Sequence, residues 1–234
     1  MLLLYNIIID KTRKIEMWIT KIKNFLLDVF FPKICLGCER TDFLICPACL
    51  EKLTVVGEIK NDFQGFKGII ACFDYQQPLV KKMIKRAKYP PCQKELIPIL
   101  TSFLIKLLKN YPQLVSFWKK NNFILMPIPI TKRKKAWRGF NQAEIIAEEI
   151  NLKLNLSLNK KIIKRIKNKK SQTNLGRKNR LENVKGIFKI AQKPPKNIIL
   201  IDDVLTTSAT LKEAKNALIL AGAKNVWAIV LAKG

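Results

Sequence analysis

Ile198-Ile-Leu-Ile-Asp-Asp-Val-Leu-Thr-Thr-Ser-Ala-Thr210 is the stretch on which the fold turns. Ile198 to Ile201 is a short apolar, largely β-branched run, the pattern of a strand buried on both faces. Asp202 and Asp203 follow at its carboxyl end, and Thr206, Thr207, Ser208 and Thr210 then crowd hydroxyls into a turn. Leu211, Ala214, Leu218 and Ala221 repeat at helical spacing, with Gly222 as a stop signal. Strand, paired acids, hydroxyl-rich turn and helix make the layout of a sugar-phosphate site. The turn and the helix start aim free N–H groups at one spot, where the helix dipole also favours an anion. The acids suit the vicinal hydroxyls of a ribose. The plain alternative is a buried strand feeding a capped helix. Four hydroxyls within seven residues of an acid pair weigh against it.

Working outward, Phe123 to Ile130 reads as a strand ended by Pro127-Ile-Pro129, because Pro cannot lie inside a sheet. Lys132, Arg133, Lys134, Lys135 and Arg138 make the following loop strongly cationic, and Trp137 and Phe140 place aromatic faces among the charges. In a doubly wound sheet such loops receive ligands, and this one suits pyrophosphate or a strand of DNA. Trp137 either stacks on a base or packs on its own helix. Asn141 reads as an N-cap with Glu144 three residues on, and Ala143, Ile146, Ala147 and Ile150 face inward. Other expected elements are a strand at 68–75, helices at 78–88 and 94–109, a short strand within 152–166 and a strand at 226–231. Residues 50–67 read as linker. Lys164 to Arg180 is polar and basic, which fits a lid or a solvated excursion.

The 234 residues carry 44 Lys and Arg against 17 Asp and Glu, a formal charge of +27. That imbalance points to polyanionic partners. Abundant Lys, Ile and Asn also fit AT-rich coding, but coding bias predicts an even spread. Residues 131–180 instead hold 16 basic residues and three acids. The chain contains no His, so mechanisms that need an imidazole are excluded. No apolar run reaches the ~20 residues that span a bilayer. Met1 to Ile9 lacks the basic lead of a signal peptide. A cytoplasmic location is expected.

Trp18 to Phe31 has the spacing of an amphipathic helix. Cys35-Leu-Gly-Cys38 and Cys46-Pro-Ala-Cys49 follow. Two such knuckles can set four thiolates about one ion, and an all-thiolate set favours structural Zn²⁺ over redox chemistry. Cys72 lies in an apolar strand and reads as core. The expected organisation is an amphipathic helix and zinc ribbon over 17–55, then an α/β domain over 60–234.

The central stretch resembles the phosphoribosyl pyrophosphate (PRPP) motif of type I phosphoribosyltransferases. The resemblance implies that Asp202 and Asp203 hold the ribose hydroxyls as the catalytic acids. It also implies that Thr206, Thr207, Ser208, Ala209 and Thr210 wrap the 5′-phosphate. Purine-salvage members often carry an acid where this chain has Thr206, and Ser208 stands where Gly is common.

More widely, the chain is similar to the ComF family of competence proteins from about Trp18 onward. The carrying motifs are the four cysteines, Tyr75…Lys88-Tyr89, Pro127-Ile-Pro129, Arg138-Gly-Phe-Asn-Gln142, Ser171-Gln172-Thr173…Leu175…Arg177…Arg180…Asn183-Val184…Gly186…Phe188 and the PRPP motif. This resemblance implies a type I phosphoribosyltransferase-like parallel sheet flanked by helices, fused to a zinc ribbon. It implies a role in natural transformation, with single-stranded DNA on the basic face at Lys132–Arg138 and Mg²⁺ accompanying PRPP. Thr131 and Lys132 would hold pyrophosphate, and Arg177 or Arg180 would close over the reaction centre as a hood. The alternatives are an active phosphoribosyltransferase with an unidentified acceptor, or a non-catalytic adaptor for a helicase or other component of DNA uptake.

Overall fold

The computed structural model describes residues 32–166 and 186–234, together with Trp18. The expected amphipathic helix, apart from Trp18, and the hood residues Ser171, Arg177 and Arg180 lie outside these residues. The chain divides into two compact units, residues 1–52 and 53–234.

In the first unit, the Cys35–Cys38 knuckle is a turn pinned by Cys35 N–H donating to Arg40 O (2.8 Å) and Glu39 N–H to Cys35 O (2.9 Å). The second knuckle opens helix α1 (Pro47–Leu50), with Pro47 at its first position, where no N–H is needed.

The second unit is built on a five-stranded sheet. Its strands are β1 (Glu58–Asn61), β2 (Gly68–Asp74), β3 (Ile124–Pro127), β6 (Asn197–Leu205) and β7 (Asn225–Lys233), in the order β1-β2-β7-β6-β3. β2, β7, β6 and β3 run parallel, and β1 pairs antiparallel with β2. The sheet is therefore mixed rather than wholly parallel. The added strand falls in the stretch read as linker, because polar Lys60 and Asn61 hide its strand pattern. An edge strand faces water, so it needs no apolar alternation. β7 has a paired strand on each side and is buried from Val226 to Ala232.

Helices α2 (Pro78–Lys88), α3 (Leu96–Lys109) and α4 (Pro112–Lys120) lead from β2 to β3. Two further helices, α5 (Lys132–Arg138) and α6 (Gln142–Leu154), then precede a two-stranded ribbon of β4 (Ile163–Arg165) and β5 (Phe188–Ile190). Helix α7 (Ala209–Leu220) joins β6 to β7 and buries Leu211, Ala214 and Leu218, three of the four residues expected on its inner face. Ile198, Leu200, Val226 and Ala228 pack in one cluster with these side chains and with Ile163 and Phe188 of the ribbon. Cys72 is fully buried, as expected, and burial pushes its thiol up to about 12. Gly68 has a packing reason: a Cβ there would meet the Trp227 ring at 2.2 Å. Among the described residues, no helix is long and apolar enough to cross a membrane.

Candidate functional site

β3 stops at Pro127, and its register with β6 ends at Pro127 opposite Ile201. Ile128 N–H makes a last bond to Ile201 O at 2.9 Å. β6 runs on for four residues, to Leu205. Beyond Ile201 that side of β6 has no strand partner among the described residues, so Asp202 to Leu205 stand at the carboxyl end of the sheet, the end at which doubly wound folds receive ligands. The acids therefore sit inside the strand rather than just after it.

Consecutive strand residues turn to opposite sides, and the two acids have different neighbours. Asp203 is 7% exposed, and its Oδ2 lies 2.7 Å from Nζ of Lys88, the last residue of α2. Burial works against the Lys88 charge, but Asp203 and then Asp202 hold its amine above the usual lysine range. Asp202 Oδ1 accepts from Asp203 N–H at 2.9 Å. Burial, reinforced by the Asp203 charge, pushes the Asp202 carboxyl up to about 7, while Lys88 and Arg165 pull the other way. Lys134 of α5 is drawn below its ordinary range by partial burial and by Arg165, Arg138 and Lys88. The two carboxyls thus lie within the field of Lys88, Lys134 and Arg165, an arrangement that selects an anionic ligand.

Thr206, Thr207 and Ser208 turn the chain into α7. Ser208 occupies the N-cap with a left-handed φ of 56°, the conformation glycine adopts most cheaply, and makes no side-chain cap bond. The first turn of α7 therefore keeps N–H groups for an anion. The Ser208 hydroxyl lies 2.6 Å from both Thr207 O and Gln64 Oε1, so it braces the turn. Thr206 is exposed, and Thr207 and Thr210 are half-buried.

The cationic segment after β3 is helical, not a loop. Thr131 caps it by accepting from Lys134 N–H (3.2 Å), and Gly139 closes it at φ 80°. Both are ordinary helix signals, hidden here by the run of charges. The Asn141 cap forms as expected, accepting from Ala143 N–H (3.2 Å) and donating to Ile128 O (3.0 Å). Gln142 accepts from Arg138 Nη1 (3.2 Å) and donates to Ala87 O (3.4 Å), bracing α5 against the end of α2. Lys132, Arg133, Lys134, Lys135 and Trp137 are exposed, but Lys135 is tied to Glu144 at 2.9 Å. Lys88 and Arg165 were not among the sequence candidates. Lys88 meets Asp203 across 115 residues of chain, and no local pattern announces such a pairing.

In the first unit, the Sγ atoms of Cys35, Cys38, Cys46 and Cys49 all lie within 4.8 Å of one another. Cys38 Sγ and Cys46 Sγ are 3.5 Å apart. Burial would raise the Cys35 thiol, but N–H donors of Cys46, Cys38 and Gly37 bring it down to about 6. Burial and the neighbouring sulfurs push Cys49 up to about 12. Four thiols crowded in this way can share one soft cation, which holds all four as thiolates. The cluster fits a metal ion such as Zn²⁺.

A scan of protein-family models finds no match. Among curated proteins, Competence protein ComFC of Streptococcus pneumoniae is 31% identical over 203 residues, spanning 82% of this chain and 84% of that protein. The chain belongs to the ComF family of competence proteins. Competence protein F of Haemophilus influenzae is also 31% identical, over 114 residues that make up half of its length and 46% of this chain. The DNA utilization protein YhgH of Escherichia coli K12 is 22% identical over 203 residues, 84% of this chain and 88% of that protein. Family membership thus rests on most of the chain.

Proposed function

We propose that this protein serves DNA uptake in the cytoplasm, binding single-stranded DNA on the cationic face of α5 and PRPP at the carboxyl end of β6. The observation that carries the reading is the acid pair held against Lys88 and within the field of Lys134 and Arg165. Family relatives named for competence and for DNA utilization support the cellular role.

In this reading Asp202 and Asp203 accept hydrogen bonds from the ribose hydroxyls. The N–H groups of Thr206 to Thr210 and the hydroxyls of Thr206, Thr207 and Thr210 take the 5′-phosphate. Thr131 and Lys132, with Arg177 or Arg180, take the pyrophosphate, and Mg²⁺ enters with it. Lys88 already neutralises Asp203, so the protein supplies part of the countercharge itself. Zn²⁺ on the four cysteines holds the first unit together.

Titrating PRPP with and without Mg²⁺, before and after adding a short single strand, tests both halves. Saturable PRPP binding and strand affinity that falls steeply with salt are expected, because lysine and arginine contacts release counterions. Absence of PRPP binding overturns the pocket. Salt-independent strand binding overturns the face.

The same geometry favours a second reading, phosphoribosyl transfer: Lys88 holds Asp203 at 2.7 Å, while Asp202 accepts only from Asp203 N–H among the described residues. Burial and the Asp203 charge raise the Asp202 carboxyl, so it can take a proton near neutral pH. An acceptor N–H would attack C1 of the ribose, pyrophosphate would leave with the bonding pair, and the acceptor's proton would pass to Asp202. Pyrophosphate release with a panel of nucleobases tests it. PRPP binding without turnover reduces the pocket to a binding site.

A further inference from the structure

We propose that Tyr89 and Trp137, with the Arg138 guanidinium against both rings, form a stacking site for one base of a single strand beside the carboxyl end of β6. The assignment rests on the strand-binding reading above and gives it a specific contact. Tyr89 is the first residue beyond α2, and Trp137 lies on α5. Their ring centroids are 6.2 Å apart at 68°, an edge-to-face pair. Each is more than half exposed, at 54% and 52%.

A single exposed aromatic is ordinary. Two that meet edge to face from separate segments, each with about half its surface still in water, form a corner against which a flat heterocycle can stack. The Arg138 guanidinium carbon lies 5.9 Å from each ring centroid. Its Nη1 is held by Gln142, and its Nε is buried with no hydrogen-bond partner among the described residues. Gln142 also reaches Ala87 O, so one buried amide ties Arg138, next to Trp137, to the end of α2, two residues before Tyr89.

The surroundings identify the occupant. The corner stands on α5, whose seven residues include five Lys or Arg and no acid. A base arriving on a phosphodiester backbone finds countercharge on the same helix, whereas an apolar peptide would leave those cations unpaired. Lys88, the neighbour of Tyr89, is paired to Asp203, so the base would sit beside the sugar-phosphate site.

The test uses the full chain with a fluorescent oligothymidylate and an abasic phosphodiester oligomer of equal length, both measured by anisotropy. The wild-type protein is expected to prefer the oligothymidylate by about tenfold or more. Tyr89→Ala and Trp137→Ala should each remove most of that preference while leaving the salt dependence unchanged, and Tyr89→Phe and Trp137→Phe should retain it. Both side chains are exposed, so unchanged thermal unfolding of the alanine variants is expected and excludes a folding effect.

Equal binding of the two oligomers by wild type overturns the stacking site and leaves the cationic face standing. A preference that survives both alanine changes overturns it likewise. Binding of neither oligomer overturns the strand reading itself. Displacement of the oligothymidylate by thymidine monophosphate at comparable concentration assigns the corner to a free nucleotide, and so overturns its assignment to a strand.

Discussion

The cysteine cluster and the acid pair both gather ionisable groups, yet they stand in opposite relations to the fold. In the first unit the described segment from Pro32 to Lys52 buries little beyond Cys35, Ile45, Cys46 and Cys49. Its shape depends on four sulfurs within 4.8 Å of one another, and a segment that small cannot stabilise itself through a core. In the second unit a sheet with two covered faces exists independently of the site. Asp202 and Asp203 are charges that this sheet carries at its end. Where ligating side chains make up the core, losing the ligand means losing the fold. Where the site sits on a frame, the site groups cost stability and the frame absorbs it.

The largest expected effect tests the first half of that contrast. Cys35→Ser, or removal of metal by a chelator, should unfold the first unit and leave the second folded. Structural Zn²⁺ contributes about 10–16 kcal/mol in comparable small sites, so no partial effect is expected. Metal content after purification, with limited proteolysis or NMR dispersion of the two units, reads the result. Retention of structure in residues 32–52 without metal would break the comparison.

Asp203→Ala is next. It leaves Lys88 with no partner in a mostly buried place, at a cost of about 3 kcal/mol. Replacing both members, Lys88→Met with Asp203→Leu, should recover most of that loss, because a buried ion pair and an apolar pair of similar volume are of similar stability. Urea unfolding of the three proteins measures it. Unfolding of the second unit by Asp203→Ala alone would make this site structural, like the cysteines.

A third effect has the opposite sign. The native state holds the Asp202 proton longer than the unfolded chain does, since its carboxyl titrates near 7 rather than near 4. The contribution of Asp202 to stability should therefore be largest below the unfolded value and fall as pH rises from about 4 through about 7. Asp202→Asn should flatten that dependence and stabilise the ligand-free protein at pH 8 by about 1–2 kcal/mol, allowing for solvent screening. The same change should weaken PRPP binding. Thermal unfolding against pH, with and without PRPP, separates the two consequences. A variant less stable at pH 8 than the wild type would contradict the raised carboxyl.

These sites differ too in how far the sequence disclosed them. The two Cys-x-x-Cys knuckles were legible because four ligands fall within fifteen residues, a spacing that geometry can check. β6 and α7 were legible for a similar reason: Ile198 to Ile201 and Leu211, Ala214 and Leu218 carry strand and helix periods locally. What escaped was contributed by distance or by compensation. Lys88 and Tyr89 stand in a family motif with no role attached; Lys88 reaches Asp203 from the last position of α2, and Tyr89 reaches Trp137 from just beyond it. Arg165 sits on a three-residue strand, too short to show a period. The polar edge strand β1 was masked by the same solvent exposure that makes it tolerable. The helical state of α5 was hidden by its charges, although Thr131 and Gly139 marked both ends.

The smallest effect concerns charges that neither fold depends on. Arg133 is exposed and forms no ion pair among the described residues, whereas Lys135 is held by Glu144 at 2.9 Å. Each exposed position should change stability by less than about 1 kcal/mol when replaced by Gln. On a strand they should differ. Arg133→Gln removes a charge available to phosphate, so the slope of log affinity against log salt should shrink by about one contact. Lys135→Gln removes a charge that Glu144 already offsets, so a smaller change in slope is expected, and Glu144→Gln should strengthen strand binding at low salt. Anisotropy titrations over a salt series measure all three. Equal slopes for Arg133→Gln and Lys135→Gln would mean that the strand draws Lys135 away from Glu144, which would make that ion pair a movable part of the binding face rather than a brace between α5 and α6.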